Sequence, residues 1–266
     1  APLRRGATCD CDFPAHAVRG DIEGRFVLDG VPAGDVLLVV QKGRFRRVRT
    51  LNVAADATTD APAEHTELPA LHDPGNGDEV PNIVIGTGRF DPIEDVFAKL
   101  RMLPITGRFG VDYRAYLDDP AAWPITLMHY QPPGEFDRDE LSDLNWAASV
   151  PPYLDLLGDF DRLRTYDFAF SPCASTQDYG SALTSAAVRE SIRSFVNEGG
   201  NLYVTDYAYD VVEQVFPEYI DFTAPDQSDR NADGLVGQPA RMAIATHDAR
   251  RYESPNRAQT PALRQW

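Results

Sequence analysis

Cys173 occupies the position of a nucleophile in the predicted fold, because it lies between a predicted buried strand, 166–171, and a predicted helix. An amide hydrolase would need this cysteine on a strained turn between glycines, together with a histidine that a carboxylate orients. No glycine adjoins Cys173, and the only later histidine, His247, precedes Asp248 and lacks a His-x-Glu pattern. We therefore expect Cys173 to end a buried strand or to be a disulfide partner, and not to act as a nucleophile.

Six acidic, phenolic and hydroxyl residues are predicted to line a crevice near Cys173. They are Ser175, Asp178, Asp206, Tyr207, Tyr209 and Asp210. Two carboxylates that face each other about 5 to 10 Å apart can act on a glycosidic bond, whereas tyrosine and aspartate side chains suit sugar binding equally well. We favour ligand binding by the first five of these residues. The alternative is a hydrolase of the amidase or glycosidase type, which would use Cys173 or the three carboxylates.

An acidic loop near the carboxyl end has the spacing of a calcium-binding loop. Asp229, Asn231 and Asp233 are followed by Gly234, and this D-x-N-x-D-G pattern places three oxygen ligands around Ca²⁺. The twelfth position is Ala240, so the bidentate carboxylate of an EF-hand is missing. The same residues also favour a hydrophilic Asx-turn loop. We predict no cofactor other than, at most, calcium at this loop.

A cluster of five cations lies within one predicted strand-turn segment. Its members are Lys42, Arg44, Arg46, Arg47 and Arg49. The cluster is a candidate site for an acidic glycan or a phosphate, but alternation along a strand would divide it between two faces. Because the chain has 25 basic and 41 acidic residues, we favour pairing of these cations with acidic loops.

Gly86-Thr87-Gly88 follows a predicted strand and precedes a predicted helix, as the glycines of a dinucleotide site do. The third glycine of that motif is absent. Asp91 is predicted to be the N-cap of the helix, at the place where a phosphate would bind. We therefore predict no dinucleotide.

The candidate residues require an α/β framework. Segment 163–209 is typical of a strand, a polar turn, an amphipathic helix, a Gly-Gly stop and a second strand. Strands are predicted at 80–86, 125–130, 166–171, 201–205 and, as a fifth, 242–246, and helices at 92–100, 153–163 and 188–196. Ligands of open parallel sheets bind beyond the carboxyl ends of the strands. Segments 173–178 and 206–210 should therefore flank the same crevice.

The amino-terminal part is predicted to be all-β. Segment 21–53 predicts antiparallel strands joined by tight turns, the first of them around 26–28. Segment 54–78 is rich in Ala, Pro, Asp, Thr and Gly, which is typical of a connecting loop. A chain of 266 residues is long enough for two cores. We predict a partial β domain at 1–70 and an α/β domain at 79–266.

Composition limits the partners. The net charge of −16 disfavours nucleic acid and anionic membranes, which require clustered Lys and Arg. No apolar run approaches the roughly 20 residues of a membrane span. Cys9 and Cys11 are too close to bridge each other easily. We expect a fragment that is open at both termini, with cations, neutral glycans or protein surfaces as partners.

Two groups of motifs resemble known families. D-x-x-G-x-F-x-L, followed by V-P-A-G and a hydrophobic strand over roughly residues 18 to 55, resembles the carboxypeptidase-regulatory, transthyretin-like β-sandwich modules of extracellular proteins. The order strand, Y-D-x-x-x-x-x-C, helix, F-V-N-x-G-G, strand, T-D resembles the class I glutamine-amidotransferase-like, flavodoxin-like fold.

Taken together, five segments resemble the carboxypeptidase-regulatory-like surface lipoproteins of myxobacteria. These segments are C-D-C, V-P-A-G, Q-K-G-R-F-R-R, I-x-T-G-R-F-D-x-I-E and Y-D-F-A-F-S-P-C. The resemblance implies a partial sandwich followed by a truncated amidotransferase-like α/β domain, an extracytoplasmic location, and oxidised Cys9 and Cys11. It implies no established activity. We therefore expect a non-catalytic extracytoplasmic binding or structural module for a carbohydrate or a protein surface.

Overall fold

The structure is a computed structural model that describes residues 16–88, 90–107, 110–130, 141, 143–173, 182–205, 208 and 210–216. Its strands are β1 (Gly34–Lys42), β2 (Phe45–Val53), β3 (Asp78–Glu79), β4 (Ile83–Thr87), β5 (Ile105–Thr106), β6 (Gly110–Val111), β7 (Ile125–His129), β8 (Phe168–Ser171) and β9 (Asn201–Val204). Its helices are α1 (Ala63–Thr66), α2 (Ile93–Lys99), α3 (Tyr113–Asp118), α4 (Trp146–Ser149), α5 (Tyr153–Gly158), α6 (Phe160–Leu163), α7 (Ala186–Asn197) and α8 (Asp210–Glu213). Within this described part, no helix has the length and apolar character needed to cross a membrane.

Four strands form a parallel sheet in the order β7-β4-β8-β9. Ile83 of β4 is paired with Ile125 of β7 on one side and with Phe168 of β8 on the other. All five residues of β4 are buried, as expected for a central strand that is covered on both faces. Four of the predicted strands are thus confirmed as one parallel sheet. The fifth, 242–246, lies outside the described residues.

Helices cover both faces of this sheet. Val84 packs in a core with residues of α5, α6 and α7, whereas Ile85 packs in a second core with residues of α2, α3 and α4. Successive residues of a strand point to opposite faces, so the unbroken apolar run of β4 supplies both cores. The described chain is therefore a mixed α/β structure.

Helix ends follow local signals in the sequence. Helix α7 stops before Gly199, whose φ of 88° is easily adopted only by glycine. A Cβ on the next residue, Gly200, would collide with the ring of Phe195. The predicted helix 153–163 is divided into α5 and α6, and the Asp159 carboxylate caps α6 by accepting a hydrogen bond of 3.1 Å from the Arg162 backbone N–H.

A second, antiparallel sheet has the order β1-β2-β3. Strands β1 and β2 are paired over nine residues each, from Gly34 opposite Val53 to Lys42 opposite Phe45. The two-residue turn begins with Gly43, whose φ is 57°, and hairpin turns of the type that fits the strand twist favour glycine at this position. The predicted sandwich therefore stays a prediction, since the described residues here form one three-stranded sheet.

The strand predicted around 26–28 is wrong. Residues 17–33 contain no strand, and Val27 is exposed. The Asp21 carboxylate instead accepts hydrogen bonds from the backbone N–H groups of Glu23 and Arg25, and Gly30 has a φ of 68°. These local turns interrupt the extended backbone that the apolar alternation predicted.

Candidate functional site

Asp91 connects the carboxyl ends of three neighbouring strands. It lies in the loop after β4, and its Oδ2 accepts a hydrogen bond of 3.4 Å from the backbone N–H of Cys173, just beyond β8. The same oxygen accepts a hydrogen bond from the hydroxyl of Thr205, the residue after β9. These hydrogen bonds place a carboxylate at the edge where open parallel sheets bind ligands.

The prediction that Asp91 is the N-cap of the helix is wrong. Helix α2 begins at Ile93, and its N-cap is Pro92, without a side-chain cap hydrogen bond. Asp91 therefore lies one residue too early for its carboxylate to bond the first turn, because capping oxygens bond the second or third helical N–H. Its carboxylate instead accepts hydrogen bonds from residues that follow β8 and β9.

Two glycines let the neighbouring loops approach each other. A Cβ on Gly88 would lie 3.0 Å from the carbonyl oxygen of Cys173 and 3.0 Å from the side chain of Pro172. A Cβ on Gly86 would lie 3.0 Å from the ring of Tyr153. Packing of protein atoms therefore accounts for both glycines of the Gly86-Thr87-Gly88 segment.

Cys173 is buried, with 4% of its surface exposed. Its backbone N–H points to the negative charge of Asp91. The histidine that the structure describes at this edge is His129, which ends β7. Strand β4 separates β7 from β8, and with neighbouring strands about 4.8 Å apart the two outer backbones are roughly 10 Å apart. The strand that ends at His129 is therefore not adjacent to the strand that Cys173 follows.

Hydroxyl groups near the carboxyl ends of β4 and β8 form hydrogen bonds with other groups of the protein. Thr87 donates a hydrogen bond of 3.0 Å to the carbonyl of Met128 and accepts one of 2.8 Å from the indole N–H of Trp146. The hydroxyls of Tyr153 and Ser171 are 2.9 Å apart and both buried. Burial raises the pKa of Tyr153, although its hydrogen bond with Ser171 opposes the shift. These internal hydrogen bonds satisfy the polar groups near the carboxyl ends of β4 and β8.

Phe90 adds an aromatic surface next to Asp91. Its side chain is 62% exposed, and it directly precedes the carboxylate in the loop after β4. Sequence reasoning missed both Phe90 and Thr205. The available signal was an aromatic-acidic pair directly after a buried strand, which was interpreted only as the start of a helix.

Most of the predicted site residues lie outside the described part of the chain. These are Ser175, Asp178, Asp206, Tyr207 and Tyr209, together with the calcium-loop residues Asp229, Asn231 and Asp233. Asp210 begins helix α8, but its side chain is likewise outside the description. Among the residues that are described, no group of three or more His, Cys, Asp or Glu side chains is arranged to hold a metal ion. Calcium stays a prediction.

The arginines of the cationic cluster pair with acidic residues. Arg47 forms two hydrogen bonds of 2.9 and 2.8 Å to the carboxylate of Asp78, and Arg49 contacts the same carboxylate at 2.8 Å. Arg46 contacts Glu79 at 3.2 Å. Burial acts to raise the pKa of Asp78, but hydrogen bonds from the two arginines outweigh it and lower that pKa.

Arg44, at the tip of the hairpin, contacts Asp167 at 2.8 Å. Asp167 directly precedes β8, and its other carboxylate oxygen accepts a hydrogen bond of 3.0 Å from the backbone N–H of Asn82, just before β4. This pair therefore links the antiparallel sheet to the amino-terminal edge of the parallel sheet. The expected pairing of the cluster with acidic groups is confirmed for its four arginines.

No protein-family model, curated protein or solved structure matches this sequence. The resemblances to transthyretin-like, amidotransferase-like and myxobacterial surface proteins therefore stay predictions.

Proposed function

We propose that this chain is a non-catalytic binding module, which holds a neutral carbohydrate at the carboxyl edge of its parallel sheet. The observation that carries the proposal is the Asp91 carboxylate, held by groups that follow β8 and β9. A fixed acceptor at the end of a buried sheet is preorganised for a ligand's hydroxyl groups, because the loops that hold it are tied to a rigid scaffold.

The same carboxylate argues against acyl transfer at Cys173. Such chemistry develops negative charge near the strand-to-helix turn, and catalysis requires hydrogen-bond donors aimed at that charge. Here the Cys173 N–H is directed at Asp91, so a transition-state oxyanion would meet a negative charge. Ser171 and Thr87 form hydrogen bonds with the Tyr153 hydroxyl and the Met128 carbonyl, and neither partner is the histidine or carboxylate that commonly activates a nucleophilic hydroxyl.

The choice of a carbohydrate rests on the neighbouring residues and on charge. An exposed ring such as Phe90 offers an apolar surface, and a carboxylate beside it accepts hydrogen bonds; ligand sites combine such apolar walls with a few polar groups. The net charge of −16 repels nucleic acid and other polyanions. A neutral ligand with hydroxyl groups can donate hydrogen bonds to the carboxylate, and the negative charge of the chain does not repel it.

The finer architecture is part of the proposal. In chain order, the strands of the parallel sheet lie as second, first, third, fourth, which is the order of flavodoxin-like sheets. We infer a flavodoxin-like, amidotransferase-like domain over 79–266 and a partial transthyretin-like sandwich over 1–70. The location outside the cytoplasm, at the cell surface or secreted, rests on the sequence resemblance alone.

The test is calorimetric titration with neutral oligosaccharides of glucose, xylose and N-acetylglucosamine. Binding by the wild-type chain should weaken about tenfold in Phe90→Ala and be retained in Phe90→Tyr, which keeps an aromatic ring. The melting temperature of each variant, measured alongside, separates loss of a contact between the ring and the sugar from loss of folded protein. Absence of binding to every sugar, or equal binding by Phe90→Ala, would overturn the proposal; release of shorter sugars during the titration would favour a hydrolase instead.

A further inference from the structure

The outer edge of β1 is unpaired in the part of the chain that the structure describes, because β1 is the terminal strand of its sheet. The two-residue turn makes Lys42 and Phe45 a hydrogen-bonded pair. In an antiparallel ladder, every second residue then directs its backbone N–H and C=O groups to the partner strand, and the residues between direct theirs outward. The outward-directed residues of β1 are Asp35, Leu37, Val39 and Gln41.

This open edge is also apolar. Leu37 is 71% exposed and Val39 is 47% exposed, and alternation places both side chains on the same face of the sheet. Protected edge strands are short, or carry proline, a bulge or charges along their length. Strand β1 has nine residues, GDVLLVVQK, with charges only near its two ends.

The sequence of β1 is complementary to itself in antiparallel register. With Leu38 on a twofold axis, Leu37 lies opposite Val39 of a second copy, and Val36 opposite Val40. The same register places Asp35 opposite Gln41. All four outward-directed residues then form hydrogen-bonded pairs with their counterparts, and the exposed Leu37 and Val39 side chains of both copies form one apolar cluster.

Charge complements this register. Strand β1 carries Asp35 near its beginning and Lys42 at its end, so antiparallel pairing brings opposite charges to each end of the joined strands, on opposite faces of the sheet. In a parallel arrangement like charges would meet, which is unfavourable.

We propose that two copies of this chain form a symmetric dimer through antiparallel pairing of their β1 strands, with Leu37 of each copy opposite Val39 of the other. The dimer joins two three-stranded sheets into one six-stranded sheet. One strand pair buries less surface than the roughly 1,600 Å² of a standard interface, so the dissociation constant falls in the micromolar range. This pairing is independent of the carbohydrate site.

Sedimentation velocity over the micromolar range tests the dimer. Wild type should change from monomer to dimer as concentration rises, and Val39→Lys should raise the dissociation constant about tenfold or more, because it places an ammonium group in the apolar cluster. Val27→Lys is the matched control: Val27 is 73% exposed and lies outside β1, so this variant should dimerise like wild type. Wild type that stays monomeric, or a dimer unaffected by Val39→Lys, overturns the proposal.

Cross-linking tests the register. In a Cys9→Ser/Cys11→Ser background, Leu37→Cys mixed with Val39→Cys should form a disulfide-linked dimer faster than either protein alone, because directly opposite residues are about 5.5 Å apart between Cα atoms. Equal rates in all three samples contradict this register. Slow exchange of the Leu37 and Val39 amides in a monomer would instead show that another strand of the same chain covers the edge.

Discussion

The two sheets are held together by different forces. The parallel sheet is buried on both faces, and its stability comes from packing around residues such as Ile85 and Leu127, both fully buried. The antiparallel sheet buries little, and its β2–β3 junction is held by Arg47 and Arg49 around Asp78. One sheet is therefore stabilised mainly by apolar burial, the other to a larger extent by charge.

The two sheets also differ in the chemistry of their exposed edges. At the carboxyl edge of the parallel sheet, hydrogen bonds from residues after β8 and β9 hold the Asp91 carboxylate in place. The antiparallel sheet leaves Leu37 and Val39 exposed on its terminal strand. A rigid, polar edge suits recognition of a small ligand, whereas an open apolar edge suits association with another strand.

Truncating Trp146 should have the largest effect on stability. Trp146→Ala removes a fully buried indole and its hydrogen bond to Thr87, so the free energy of unfolding should fall by about 3 to 5 kcal/mol. Trp146→Phe keeps an aromatic ring and loses the hydrogen bond, and should cost about 1 to 2 kcal/mol. Urea unfolding measures both. A loss below 1 kcal/mol for Trp146→Ala would contradict packing as the main stabilising force of the parallel sheet.

Asp78→Asn should destabilise the antiparallel sheet by about 2 to 3 kcal/mol at neutral pH, because it leaves two partly buried arginines without their carboxylate. Asp29→Asn, at an exposed position outside both sheets, is the matched control and should change stability by less than about 0.5 kcal/mol. Urea unfolding at neutral pH compares the two variants with wild type. Equal losses in both would contradict a special role of the Asp78 cluster.

The contribution of Asp78 should depend on pH. Its pKa is lowered in the folded state, so its stabilisation is fully present above the unfolded pKa of about 3.9 and is lost as pH falls through the lower folded value. The difference in unfolding free energy between wild type and Asp78→Asn should therefore shrink in acid. A difference that does not shrink as the pH is lowered below the unfolded value of about 3.9 would contradict this account.

Thr205→Val should have a smaller effect. It removes a hydroxyl that donates to Asp91 and should cost about 1 kcal/mol in unfolding free energy, with weaker sugar binding. Thr50→Val, at an exposed position of β2, is the matched control and should leave both quantities unchanged. Thermal melts together with calorimetric titration distinguish the two variants; unchanged sugar binding in Thr205→Val would remove Thr205 from the site.

Modification of Cys173 should have the smallest effect. In a Cys9→Ser/Cys11→Ser background, iodoacetamide should label Cys173 about tenfold more slowly than a reference thiol introduced by Val27→Cys, because burial limits access to the thiol. Sugar binding should be unchanged in Cys173→Ala. Faster labelling of Cys173 than of the reference, blocked by an added amide substrate, would indicate a nucleophile.

The sequence predicted the parallel sheet better than the contacts at its carboxyl edge. Buried parallel strands have long apolar runs, such as 80–86 and 125–130, and these patterns identify strands without knowledge of their neighbours. The end of α7 at Gly199-Gly200 was also predictable from sequence, because a left-handed residue after a helix favours glycine and depends only on local sequence. The four arginine ion pairs followed from charge balance, although their individual partners did not.

Long-range contacts explain what was missed. Asp91 and Thr205 are 114 positions apart, and no local pattern reports that β8 and β9 end beside the loop after β4. The Asp91-Pro92 pattern is typical of a helix N-cap, but in the folded chain the Asp91 carboxylate accepts hydrogen bonds from Cys173 and Thr205 instead. Apolar alternation around 26–28 has no partner strand among the described residues, and strand formation depends on pairing and burial more than on intrinsic preference.

The most direct test of the account is a two-dimensional amide NMR titration of the wild-type chain with the neutral oligosaccharide that binds most tightly. Binding at the parallel sheet predicts shifts concentrated at Phe90, Asp91, Cys173 and Thr205, with the resonances of β1 and β2 unchanged and the sugar intact at the end of the titration. Shifts confined to β1 and β2, or a sugar shortened during the experiment, would contradict a non-catalytic binding site at this edge.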